Sequence, residues 1–299
     1  MSEPEPEPEP APKSESESES APKSAPASAS VVASLQSQLR VLACDLALQA
    51  GDLIRRGRRS GVGDVDTKSS TTDMVTEFDR ASEALIVQAL REHRPNDAII
   101  GEEGTADTGT SGVRWHIDPI DGTTTFFYDL PGYAVSIAAA DHEGTLAGAV
   151  YVPATNELFS AARGEGATLN DAPIHCSATR DVSNTLLATG FSYSPEVRRR
   201  QMLRLQHIIG EVRDIRRCGA AAVDLCNVAA GRVDAYFEEN LGPWDLAAGE
   251  LIAREAGCAS GDLQGETVRP AEVLVTNATL FEPIRALINR AGALRAAAN

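Results

Sequence analysis

From residue 34 onward apolar side chains recur every three or four positions. Leu35, Leu39, Leu42, Leu46, Leu53 and Ile54 share one face of a helix that the spacing carries to the region of Gly57. The polar stretch RRSGVGDVDTKSSTTD (58–73) then reads as a mobile loop. A second helix is expected over TEFDRASEALIVQALREH (76–93), with Thr76 as N-cap and Asp79 three residues on, a capping-box pattern. Strand-like runs follow at 98–100, 113–117, 133–140 and 146–152, separated by Gly, Asp and Pro. Beyond them NTLLATGF (184–191) predicts a strand and PEVRRRQMLRLQHIIGEV (195–212) a basic helix. AAAVDLCNVAAG (220–231) predicts an apolar helix, RVDAYFEE (232–239) a strand, and a further helix opens at Trp244 and Asp245 and stops at Gly257. EVLVTNA (272–278) and LFEPIRALINRA (280–291) close the chain as strand and helix. Strands and helices mix in both halves with no break in composition after residue 33, so one layered α/β domain over residues 34–299 is expected.

Composition sets the first 33 residues apart. An alternating Glu-Pro tract, an alternating Ser-Glu tract and a repeated APKS offer almost nothing to bury, which predicts a disordered acidic tail over 1–33. It has neither the basic nor the apolar region of a signal peptide, and no run of about 18 apolar residues predicts a membrane span. Five scattered Cys without a C-x-x-C suit reduced thiols and a cytoplasmic location. Of the formal charge of −16, residues 1–30 carry −5 through seven Glu and two Lys, leaving −11. Such a field disfavours nucleic acid, anionic membranes and phosphate esters alike, so a phosphate substrate requires bound cations that reverse the sign locally.

The chemistry-bearing stretch is WHIDPIDGTTTF (115–126). In a turn, residues i and i+3 approach within about 7 Å, so Asp118 and Asp121 can aim at a common point, stiffened by Pro119. Two carboxylates so placed suit hard divalent cations, for which oxygen ligands are plentiful here and clustered His or Cys are not. Gly122 removes a Cβ that would block a ligand, and the Gly122 and Thr123 amides at the start of a short helical turn offer an anion site. A turn whose Asp residues only cap backbone groups explains the same letters. Three other acidic sites have equally ordinary explanations when isolated: a solvated loop for Glu102 and Glu103 in IIGEEG (99–104), capping and the helix dipole for Asp79 in DMVTEFD (73–79), and capping for Asp245 in WDLAAGELIAREAG (244–257).

Taken together, and in this order and spacing, the four motifs resemble the inositol monophosphatase family, metal-dependent and lithium-sensitive phosphatases related to fructose-1,6-bisphosphatase. The resemblance extends from about residue 34 to the C-terminus. It implies the layered α-β-α-β-α sandwich of that type and two or three Mg²⁺ ions. It assigns Glu102, Asp118 and the Ile120 carbonyl to a first ion, Asp118, Asp121 and Asp245 to a second, and Glu102 also to a looser third. It implies that Thr123, paired with Asp79, orients and helps deprotonate the attacking water, with Glu102 and Asp121 also serving catalysis. Gly122, Thr123, Gly219, Ala221, Glu238 and Asp245 would contact substrate, Gly219 and Ala221 through their backbone and Glu238 through ring hydroxyls. Lys68 matches a family lysine near the active site, for which a solvated surface Lys is an equal alternative. Two positions depart from the family pattern, Thr125 in place of Asn and Cys258 in place of Gly; neither is expected to ligate metal.

The expected reaction is direct in-line hydrolysis of a small-molecule phosphate monoester, most simply an inositol phosphate, without a phosphoenzyme. The phosphatase class with a nucleophilic Asp in D-x-D-G-T is excluded because Pro119 stands two residues before Asp121. Neither G-x-S-x-G nor G-x-x-x-x-G-K-[ST] occurs. Histidinol phosphate is the nearest rival substrate, because an acidic side chain could meet its amine. A binding or regulatory protein with a vestigial metal site is the rival of another class. The resemblance also implies a homodimer.

Overall fold

The computed structural model describes Met1 and residues 27–60, 65–68, 74–265 and 267–297. In chain order the elements begin with α1 (Ala27–Ser60), β1 (Val65–Thr67), β2 (Met74–Thr76), α2 (Glu77–His93), β3 (Ala98–Gly101), β4 (Ala106–Asp107), β5 (Arg114–Asp121) and α3 (Thr123–Phe127). They continue with β6 (Ala134–Asp141), β7 (Gly144–Val152), β8 (Glu157–Ala162), β9 (Ala167–Leu169), β10 (Ala172–Pro173), β11 (Leu186–Thr189), α4 (Pro195–Gln206) and β12 (Asp214–Arg216). The last are α5 (Ala221–Ala229), β13 (Ala235–Glu239), α6 (Pro243–Glu255), β14 (Cys258–Gly261), β15 (Glu272–Asn277) and α7 (Phe281–Ala297).

These elements form alternating layers. An eight-stranded sheet runs β10-β9-β8-β7-β6-β5-β3-β4, and a five-stranded sheet runs β12-β11-β13-β15-β14. Each sheet is buried on both faces, and the period-two alternation shows which residue serves which layer. In β13, Ala235 and Phe237 face an outer core with Leu205 of α4 and Ile284 and Ile288 of α7, whereas Tyr236 faces the opposite way. The central core joins Tyr236, Val273 and Val275 to α5, to α6 and to Ala138, Val150 and Phe159 of the larger sheet. On that sheet's far face Trp115, Ile117, Val135 and Ile137 pack against Leu39, Leu46 and Ile54 of α1 and Ile86 and Leu90 of α2. The order is α-β-α-β-α, the expected sandwich.

Several expectations need correction. The first helix begins at Ala27, so residues 27–33, assigned to the tail, are helical; they contain neither Pro nor Gly, and Ala favours the helix. Residues 2–26 of that tail lie outside the described residues. The loop expected over 58–73 contains β1, which pairs antiparallel with β2 from Val65↔Thr76 to Thr67↔Met74; residues 61–64 and 69–73 lie outside the described residues. The helix expected over 195–212 ends at Gln206, before two adjacent Ile residues and Gly210. Strands β8, β9 and β14 were missed because their short Ala-, Ser- and Gly-containing stretches carry little β signal.

Candidate functional site

The Asp118–Asp121 segment is not a free turn but the end of β5. Asp118 pairs with Ser136 and Asp121 with Ala134, so β5 advances three residues while β6 advances two. In a regular strand residues i and i+3 face opposite ways; the extra residue of this bulge returns both carboxylates to one side. Pro119 lies within the bulge, where its missing N–H costs no ladder bond. Its carbonyl accepts a hydrogen bond from the Ser82 hydroxyl of α2 at 3.2 Å, and the Ile120 amide donates to Asp118 Oδ1 at 3.1 Å.

Other elements bring the remaining groups to the same place. Asp245 occupies the third position of α6, where Oδ2 accepts from the Gly242 amide at 2.6 Å. Capping and convergence therefore coexist: oxygens of Asp118, Asp121 and Asp245 lie within 4.8 Å of one another, the cluster of this kind found among the described residues. Asp121 also accepts from the first amides of α5, Ala221 N at 3.2 Å and Ala222 N at 2.6 Å. Glu102 follows β3, the parallel neighbour of β5, and lines the same cavity. Lys68 bridges Glu102 at 2.8 Å and Glu103 at 2.6 Å, so it belongs to the site margin rather than to open solvent.

Thr123 opens α3 beside the cluster. Its Oγ lies 3.1 Å from Asp79 Oδ1 and 3.1 Å from the Ile120 carbonyl, and its single proton can serve only one at a time. Asp79 in turn accepts from the Thr76 amide at 2.8 Å and hydroxyl at 2.5 Å, completing the capping box. Gly122 has φ of +87°, and a Cβ there would stand 3.0 Å from the Gly219 carbonyl and 3.1 Å from the Ala220 Cβ. The glycine is thus required by backbone conformation and by protein against protein, in addition to the ligand clearance expected of a residue that lines the cavity.

A cavity of about 280 Å³ is lined by Glu102, Asp118, Ile120, Asp121, Gly122, Thr123, Gly219, Ala221, Glu238 and Asp245, together with residues that were not anticipated. Lys68 and Asp79 do not line it; Asp79 is buried behind Thr123. The Ala221 amide donates to Asp121 Oδ1 at 3.2 Å at the cavity wall. A wider cleft of about 860 Å³ lies between α6 and the start of β5, lined by Arg114, His116, Glu250 and Arg254, away from the cluster.

Electrostatics explain what the cluster needs. Burial, then the nearby Glu102, Asp121 and Asp245 charges, push the Asp118 carboxyl well above its ordinary range. Burial and Asp245 do the same to Asp121, against the help of the Ala222 amide. Burial also raises Asp245 and Glu102, the latter despite Lys68. Burial works against the Lys68 ammonium as well, but the two Glu carboxylates outweigh it and hold its pKa above the ordinary value. Closely packed acids with only oxygen donors fit hard divalent cations, whose charge would remove this strain. Behind them burial raises Asp79 to about 6, and on the opposite wall burial raises Glu238 to about 7 although Tyr236 donates to it at 2.6 Å.

Two supporting residues, Glu83 and Asp224, escaped the sequence reading, and Glu103 was read there only as a solvated acid. Glu83 accepts from the Glu103 amide at 2.8 Å and from the Thr105 amide and hydroxyl at 3.2 and 2.6 Å, fixing the loop that carries Glu102. It stands four residues after Asp79 on the buried face of α2, a helical spacing that could have flagged it. Glu103 pairs with Lys68, and Asp224 of α5 lines the cavity; nothing in their local sequence distinguished them from a solvated acid or an ordinary helix residue.

Comparison with known proteins agrees with this arrangement. The model of the inositol monophosphatase family matches residues 35–293. Inositol-1-monophosphatase SuhB of Mycobacterium tuberculosis is 46% identical over 239 residues, covering 74% of this chain and 82% of its own. Nus factor SuhB of Pasteurella multocida is 44% identical over 226 residues, covering 75% and 85%. The crystal structure of the extragenic suppressor protein suhB from Bartonella henselae superposes with a TM-score of 0.77 at 36% identity, covering 84% of this chain and 96% of that one. With the layered fold and the ordered motifs, these matches mean that the chain belongs to the inositol monophosphatase family.

Proposed function

We propose that the protein is a Mg²⁺-dependent phosphatase that hydrolyses myo-inositol monophosphate to inositol and phosphate. The convergence of Asp118, Asp121 and Asp245 beside the Thr123–Asp79 pair carries this reading. Glu102, Asp118, Asp121, Asp245 and the Ile120 carbonyl would hold two or three Mg²⁺ ions. When bound, these would supply positive charge for the phosphoryl oxygens and make water acidic enough to react near neutral pH.

The chain's own groups would do the rest. Thr123 would orient the water with its hydroxyl oxygen and relay a proton toward Asp79, whose buried carboxylate is basic enough to take it near pH 6. The Gly122 and Thr123 amides would face the phosphoryl oxygens at the start of α3. Glu238, held by Tyr236, would accept from hydroxyls of the leaving alcohol. Lys68 would neutralise the Glu102–Glu103 margin until the cations enter.

The test is phosphate release from myo-inositol 1-phosphate and from histidinol phosphate, each with and without Mg²⁺ and then with Li⁺. Mg²⁺-dependent turnover favouring the inositol ester and inhibited by Li⁺ is expected; preference for histidinol phosphate would replace the substrate, and no turnover of either would remove the activity. A second reading is favoured by the 44% identical relative that bears the name Nus factor. It is a binding role carried beside the catalytic set, and a pull-down of partner proteins that Asp245→Asn leaves unchanged while turnover is lost would separate the two.

A further inference from the structure

Beyond the metal-binding carboxylates, the cavity wall carries Asp224, Glu238 and Glu239 against one cation among the described residues, Arg217. Their surroundings differ. Glu239 is neutralised by Arg204 at 2.8 Å, and Glu238 accepts from the Tyr236 hydroxyl at 2.6 Å. Asp224, in the first turn of α5, is only 1% exposed, and its Oδ1 has no hydrogen-bond partner among the described residues. The carboxylate takes a hydrogen bond from the Cys218 thiol and feels the charge of Arg217. A buried carboxyl oxygen left without a donor is costly, and its field reaches far in a medium of low dielectric.

We infer that Asp224 sets the charge preference of the leaving-group half of the cavity, disfavouring an alcohol that carries a second negative charge and favouring a neutral polyol. This rests on the proposed phosphatase reading and deepens it by naming the residue that sets the charge preference for the leaving alcohol. Asp224 lines the cavity but is almost wholly buried there, so it acts through its field on the bound alcohol rather than by touching it. Cations held by Glu102, Asp118, Asp121 and Asp245 would compensate the ester phosphate at one end. At the other end Asp224 and Glu238 together exceed what Arg217 can balance. An anionic group placed there meets net negative wall, whereas hydroxyls meet acceptors.

The experiment compares kcat/KM for fructose 1,6-bisphosphate with that for myo-inositol 1-phosphate, in excess Mg²⁺ at pH 8, for wild type, Asp224→Asn and Arg217→Gln. Asn keeps the shape and removes the charge. The ratio of bisphosphate to inositol ester is expected to rise about tenfold in Asp224→Asn and to fall several-fold in Arg217→Gln. A merely structural role would depress both esters alike; an unchanged or lowered ratio in Asp224→Asn overturns the inference. Should that variant not fold, the exposed Arg217 provides the reciprocal reading, and a ratio that does not fall there is equally fatal. Should wild type turn over neither ester, the proposed activity fails by itself, and the same ratios are read from calorimetric binding constants of the two esters.

Discussion

Acids from the two sheets meet in one cavity, yet they behave as two populations. Those delivered by the larger sheet and α6, namely Asp118, Asp121 and Asp245, bring oxygens within 4.8 Å of one another and are held by backbone amides. Those delivered by the smaller sheet and α5, Glu238 and Asp224, stand without such a cluster, one against a tyrosine and the other with an unpartnered oxygen. Crowded acids are relieved by a shared proton or by an external cation, whereas dispersed acids shape a field for a ligand. Residue type alone does not separate these roles; the distance between carboxylates does.

The comparison is broken most severely by Asp245→Asn. Turnover is expected to fall by about 10³-fold or more, from loss of charge stabilisation at the reacting phosphate. In metal-free buffer the same variant is expected to melt a few degrees higher than wild type, because one like charge has left a buried cluster. A melting temperature that drops instead would detach the cluster from mutual repulsion. Thr123→Val is the next largest: kcat is expected to fall roughly 10²-fold with KM little changed, since the hydroxyl would act on the water and not on the alcohol.

The smallest effect sharpens the contrast through pH. Asp79, Asp224 and Glu238 are raised to about 6, about 7 and about 7, chiefly by burial, from ordinary values of 3.8, 3.8 and 4.5. A carboxyl raised on folding favours the native state while protonated, so its contribution is complete below about pH 4 and is lost as pH rises through 6 to 7. Metal-free protein is therefore expected to lose roughly 5 °C in melting temperature between pH 5 and pH 8. Saturating Mg²⁺ should flatten that slope and Asp224→Asn should reduce it; calorimetry at matched ionic strength measures both.

Legibility in the sequence followed the range of the interaction. The α1 and α2 periodicities, the Thr76–Asp79 capping box and the strands β3, β5, β6 and β7 are local patterns, and they were readable within a few residues. The motif order also identified the acids that the structure gathers at the cavity. The bulge was not readable, because D-P-x-D reads equally as a turn until β6 supplies the partner strand. For Gly122 the sequence showed only the approach of a ligand, since the chain packed against it lies about a hundred positions away, at Gly219 and Ala220. Glu83 and Asp224 were overlooked because a buried acid within a helix looks like a solvated one until burial and partners are known.

By itself the sequence determined most helices, the longer strands and which acids stand in the family's order, because propensity, periodicity and spacing act between near neighbours. The tertiary structure decided the rest: that Asp118 and Asp121 face one way, that Asp245 reaches them from a distant helix, and that one oxygen of Asp224 is sealed without a donor. Convergence and desolvation depend on which remote backbone lies alongside, and no local stretch of letters carries that information.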